Sequence, residues 1–175
     1  MAKGEKKVSF ESVLVHSANS FNWYYIPVDA KYAEDFGFKG NSRRVVCTLN
    51  NAETFQCALM PMDGAFFIIV NKKVRTRLGI EAGHSVNVEL IKDSSKYGLP
   101  MPEEFEEVLA QDDEGRKYFD DLTEGKKRTL IYSVSTVKDI DRRIHRAIIF
   151  LEHLKRNGGK IISKELAEEI KRPLL

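Results

Sequence analysis

Asp93-Ser94-Ser95-Lys96-Tyr97-Gly98-Leu99-Pro100 divides the chain. The stretch is polar and turn-forming, and the period of the hydrophobic pattern changes across it. Before it, Val45-Cys47-Leu49, Phe55-Cys57-Leu59 and Val86-Val88-Leu90 recur every second residue, the spacing of half-buried strands. After it, Ile140, Ile144, Ala147, Ile148, Leu151 and Leu154 recur at three and four, the spacing of one helix face. The sequence therefore reads as α+β, with a β unit over residues 1–94 and a helical unit over residues 95–175.

Working back from the divide, Asn71 is a natural N-cap for a short helix over residues 72–78, and Gly79 a natural stop. Ala65 to Val70 is continuously apolar, as expected of a strand buried on both faces. Asp63-Gly64 and Asn50-Asn51-Ala52-Glu53 supply hairpin turns. The second of these joins strands over 43–50 and 54–60. Phe21, Trp23, Tyr25 and Asn22, Tyr24, Ile26 fill both faces of an earlier strand, which Pro27 ends. Val8, Phe10 and Leu14 mark the first strand, and Asp29 caps a short helix that Gly37 stops. About six strands with tight connections predict a small closed or half-closed barrel over an open sheet, because closure removes exposed edges.

Working forward, Pro102 with Glu103 and Glu104 suits the first turn of a helix. Asp112 and Thr123 open two more. Thr136 and Asp139 stand at capping-box spacing before the longest helix, Asn157-Gly158-Gly159 ends it, and Ser163 caps a last short one. Charge is segregated here. Residues 103–124 carry ten acidic side chains against two basic, and residues 126–160 carry ten basic against three acidic. Packing of the acidic helices beside the basic ones would neutralise most of this charge.

Composition narrows the function classes. The 28 basic and 26 acidic residues leave a net charge of +2, which does not indicate a globally basic nucleic-acid binder. No apolar run approaches the ~20 residues that span a bilayer. Met1-Ala2-Lys3-Gly4-Glu5-Lys6-Lys7 has no apolar signal core, so a cytoplasmic protein with reduced Cys47 and Cys57 is expected. Neither cysteine stands at metal-ligand spacing from a His or the other Cys, and no Gly-rich phosphate loop or His-Glu-x-x-His is present. Neither cofactor nor metal nor catalytic residue is expected.

Two basic clusters are candidates for binding. Lys138, Arg142, Arg143 and Arg146 gather at the start of the longest helix, and Arg142 and Arg146 are one turn apart, able to grip one phosphate or carboxylate. The competing reading is a solvated face paired with Asp139 and the acidic helices. Lys72, Lys73, Arg75 and Arg77 follow the most apolar strand and would serve nucleic acid, with Trp23, Tyr24 and Tyr25 as stacking platforms. The same aromatics equally suit the interior of a barrel. Asp141 and His145, also one turn apart, have the spacing of an orienter and base but no evident nucleophile beside them.

Several of these runs carry a resemblance. Tyr25-Ile26-Pro27-Val28-Asp29, the run Met62 to Lys72, and Val74 to Gly83 resemble a small domain of unknown function that precedes a YdeI/OmpD-associated module. Leu99-Pro100 with the acidic helix after it, and Lys138 to Arg146, resemble that bacteriocin-protection module itself. The resemblance implies a double-split, AbrB-like barrel followed by a helical appendage, and no established chemistry. The family usually has Asp after the turn glycine, where this chain has His84. The function expected is non-enzymatic binding or stress protection, through an anionic ligand or a protein partner. A nucleic-acid-binding regulator built on the barrel is the alternative.

Overall fold

The computed structural model describes residues 6–18, 22–39 and 42–173; Phe21 and residues 1–5, both read above, lie outside them. The chain divides into two units, Met1–Ser94 and Ser95–Leu175. The first contains β1 (Lys7–Val13), β2 (Val15–His16), β3 (Tyr24–Val28), α1 (Ala30–Glu34), β4 (Arg44–Leu49), β5 (Glu53–Ala58), β6 (Met60–Met62), β7 (Ala65–Ile69), α2 (Lys72–Leu78) and β8 (Ser85–Lys92). Its strands form two antiparallel four-stranded sheets, ordered β1-β8-β4-β5 and β2-β3-β7-β6. The expected six-stranded AbrB-like barrel is thus overturned: the strands number eight among the described residues, and neither sheet closes on itself.

Two leucines account for the difference. Leu14, fully buried, separates β1 from β2, and Leu59, at 2% exposure, separates β5 from β6. At each one the chain leaves the first sheet and joins the second. The Leu14 N–H donates to the His84 carbonyl at 3.0 Å, and its own carbonyl accepts from Gly83 at 2.8 Å; the Leu59 N–H donates to the Arg43 carbonyl at 2.8 Å. The backbone therefore stays satisfied while the strand turns a corner. An inward leucine preserves the period of two on both sides of the bend, so the pattern alone shows one long strand. Both sheets face one core, with Val8, Val45, Leu49 and Leu90 from the first and Ile26, Val28 and Ile68 from the second.

Local chemistry follows the sequence more closely. Asn50, Asn51, Asp63 and Gly64 all take positive φ, as tight hairpins require. The Asn71 side chain accepts from the Val74 N–H at 3.0 Å and starts α2. Pro27 does not end β3 but pairs with Phe67 inside it. It is tolerated because β2 reaches only to Tyr25, so the missing N–H has no partner to lose. Ile69 is 37% exposed, so β7 is not buried on both faces throughout. The His84 ring Nδ1 accepts from the Glu81 N–H at 3.2 Å, a turn-capping role that a carboxylate could also fill. Cys47 opposes Phe55 and Cys57 opposes Val45, so the two free thiols are diagonal neighbours. The neighbouring Cys57 sulfur, hydrogen-bonded to the neutral Cys47 thiol, and burial push that thiol above its ordinary range, as suits a packed side chain.

The second unit contains α3 (Glu103–Gln111), α4 (Asp113–Asp120), α5 (Glu124–Ser135), α6 (Ile140–Arg156) and α7 (Ser163–Glu169). The longest, α6, packs against all four others. Its buried side is Ala147, Ile149, Phe150, Leu151, His153 and Leu154. Ile140 and Ile148 belong to the expected stripe but are 60% and 40% exposed. Gly115 lets α4 approach closely, since a Cβ there would lie 2.9 Å from the Leu151 Cβ. Asp139 caps α6 by accepting from the Arg142 N–H at 2.9 Å, whereas Thr136 ends α5, so the two form no capping box. No helix among the described residues is long and apolar enough to cross a membrane.

Candidate functional site

The cap at Asp139 fixes the first turn of α6 and so fixes where its cations point. Arg142, His145 and Arg146 follow at one-turn spacing, on one face. They line a concavity of about 470 Å³ that Lys171 and Arg172 complete from the segment after α7. Its remaining lining is Val137, Ile149, Ile170 and Pro173, with no carboxylate. Arg146 is half-buried, and its Nη1 donates to the Ser133 carbonyl at 3.0 Å, which holds the guanidinium in place. The His145 Nε2 is buried with no hydrogen-bond partner. Three arginines, Lys171 and the imidazole thus meet over apolar walls; Arg142, Lys171 and Arg172 are exposed, and Lys171 pairs with Glu168 at 2.7 Å. Such a site offers donors and positive charge.

The structure separates the four residues of the sequence cluster. Arg142 and Arg146 line the concavity. Arg143 turns the other way: its Nε donates to the Val137 carbonyl and its Nη1 to Glu104 at 3.1 Å, tying α6 to α3. Lys138 is exposed and lies outside the lining. Neutralisation by the acidic helices thus operates at Arg143, and also at Lys155, which donates to Asp112 at 2.7 Å. Burial opposes the Asp112 charge, but the Lys155 hydrogen bond and charge and the Gly115 N–H outweigh it and hold the carboxyl below its ordinary range. Sequence reasoning missed Lys171 and Arg172, which are far from α6 along the chain; a Lys-Arg pair before Pro173 was their only signal.

The second basic cluster is divided differently. Arg77 pairs with Glu53 at 2.7 Å, and the Arg75 guanidinium lies over the Tyr24 ring at 3.5 Å. Lys72 and Lys73 are exposed. Tyr24 also stacks on His16, while Trp23 and Tyr25 both pack on Phe67. The three aromatics are therefore engaged with neighbours in the first unit.

One cluster was invisible along the chain. His153, Glu165 and Glu169 come within metal-ligand reach of one another. His153 is fully buried; its Nε2 accepts from the Ile162 N–H at 3.0 Å, so its Nδ1 carries the proton and donates to Glu169 at 3.0 Å. Glu169 also pairs with Arg156 at 2.9 Å. Both ring nitrogens are spent on fixing α7 to α6, and Ile162, not Ser163, precedes the helix as its cap. His153 and Glu169 thus form a structural clasp between α6 and α7.

Two family models match the chain. Residues 10–90 match the domain of unknown function DUF1905, and residues 99–157 match the family described as Bacteriocin-protection, YdeI or OmpD-Associated. The second match takes in Arg142, His145 and Arg146 and stops before Lys171 and Arg172. No curated protein matches the chain.

Proposed function

We propose that this protein of the bacteriocin-protection type works by binding, and that its helical unit holds a small anion in the concavity lined by Arg142, His145, Arg146, Lys171 and Arg172. The observation that supports this reading is the convergence of Arg142, Arg146 and Arg172, none of them in an ion pair among the described residues, with Lys171, which Glu168 pairs, around a buried His145 Nε2 that lacks a partner. The ligand is a phosphate or carboxylate carried on a small apolar body, since Ile149, Ile170 and Pro173 complete the walls. The lining holds no Ser, Thr, Cys, Asp or Glu beside His145. The two free thiols fit a reducing, cytoplasmic setting.

Calorimetric titration with inorganic phosphate, a phenyl phosphate and a benzoate tests the reading. Arg142→Ala with Arg146→Ala should weaken the best of these roughly tenfold or more, as loss of charge-assisted hydrogen bonds does. Lys72→Ala with Lys73→Ala should leave it unchanged. Equal affinity in the Arg142→Ala, Arg146→Ala protein would overturn the site. Labelled duplex and single-stranded oligonucleotides serve as a further arm; salt-steep binding lost with the Lys72 and Lys73 changes would favour a nucleic-acid regulator instead.

A further inference from the structure

A second face of α6 carries a different surface. Val108 of α3 and Ile144 and Ile148 of α6 floor an open groove of about 560 Å³, and Glu103, Glu107 and Glu152 stand on its rim. Ile148 is 40% exposed, although it lies at core spacing in the sequence. The remaining charged lining is already matched: Glu104 pairs with Arg143, and Asp112 with Lys155. The three rim glutamates have no ion pair among the described residues. An apolar floor with acidic edges is the complement of a helix that is apolar on one side and cationic beside it. The lining positions repeat at three and four on both α3 and α6, so the groove presents the ridges and gaps that a helix packs into. From Ile144 to Lys155 it follows α6 for about 16 Å, or three turns.

We infer that this groove docks a cationic amphipathic peptide helix of about three turns, with aliphatic residues on Val108, Ile144 and Ile148 and lysines or arginines against Glu103, Glu107 and Glu152. The inference is independent of the anion site, which uses another face of α6. Charge selects the occupant: an acidic helix would bring like charges together on both rims, whereas a cationic one relieves the repulsion between unpaired glutamates.

The test is fluorescence anisotropy of the full chain with a labelled leucine–lysine helical peptide of about 12 residues. The same peptide with glutamate for lysine, and a scrambled peptide of the same composition, are controls. The expected result is micromolar binding of the first peptide alone, weakened roughly tenfold by Ile144→Ser with Ile148→Ser and less by Glu107→Gln with Glu152→Gln. Arg142→Ala should leave it unchanged, which separates this site from the anion site. Three results would overturn the inference: no binding at low salt, equal binding of the scrambled peptide, or indifference to the isoleucine changes. A dimer in light scattering that Ile148→Ser dissolves would assign the groove to a second copy of the chain. Circular dichroism of each variant confirms that it folds.

Discussion

The starts of α2 and α6 present nearly the same signal in sequence, a capped helix with four basic residues in or beside its first two turns. In the structure they diverge. At α2, Arg77 is matched by Glu53 and Arg75 lies on Tyr24, so two exposed lysines remain. At α6, Arg143 is matched by Glu104 and Lys171 by Glu168, which leaves Arg142, Arg146 and Arg172 beside an unpartnered His145 nitrogen. A run of basic residues therefore has meaning only after its partners are subtracted. Those partners come from other elements: β5 and β3 in one case, α3 and α5 in the other.

The sharpest way to break the contrast is to loosen α6. Phe150→Ala removes a fully buried ring from the helical core and should cost about 3–5 kcal/mol of that unit's stability, read by chemical denaturation. Anion binding at α6 should fall with it, while the β unit should keep its NMR spectrum. An unchanged midpoint would show that α6 is not held as described. Next in size is the clasp that brings Lys171 and Arg172 to the concavity. His153→Phe leaves Glu169 buried against Arg156 alone and strips the Ile162 N–H of its acceptor, at a cost of about 2–3 kcal/mol. Amide exchange over residues 163–172 should then accelerate more than exchange in α3 or α4.

Smaller effects sharpen the comparison. Asp139→Ala deletes the α6 cap for about 1 kcal/mol, and Asn71→Ala should do the same at α2. Only the Asp139 change should weaken the proposed anion binding, because only there does the cap set the turn that carries Arg142 and Arg146. The smallest effect concerns pH. The Asp112 carboxyl is held below its ordinary value, so the folded state binds that proton less readily than the unfolded chain. Its contribution is present in full above the unfolded carboxylate range near pH ~4 and is lost as pH falls through the lower, folded value. A shallower acid dependence below pH ~4 in Asp112→Asn would establish the sign; an identical curve would remove the pair from the account.

Much of the fold was legible because local rules act over a few residues. Asn71, Asp112, Thr123 and Asp139 cap helices by accepting from an N–H three positions on, a reach set by the backbone itself. The change of period at Asp93–Pro100 likewise needs nothing beyond neighbouring residues. The barrel expectation failed because Leu14 and Leu59 continue the alternation straight through the corners. Arg142 and Arg146 of the candidate site were legible as a basic pair, and His145 as a candidate base, while Arg143 was drawn away by a glutamate far along the chain.

The sequence by itself determined the two-part plan, the helix caps, the tight turns and the places where cations gather, since periodicity, capping and turn chemistry are local. Only the tertiary structure decided which cations are neutralised, that two long strands bend into separate sheets, and that Lys171 and Arg172 join the α6 arginines. Those outcomes depend on which distant groups come within hydrogen-bonding range. Packing also placed Ile148, a residue of core character, at the surface: α6 has a single face against its core, and the isoleucine falls beyond the edge of it.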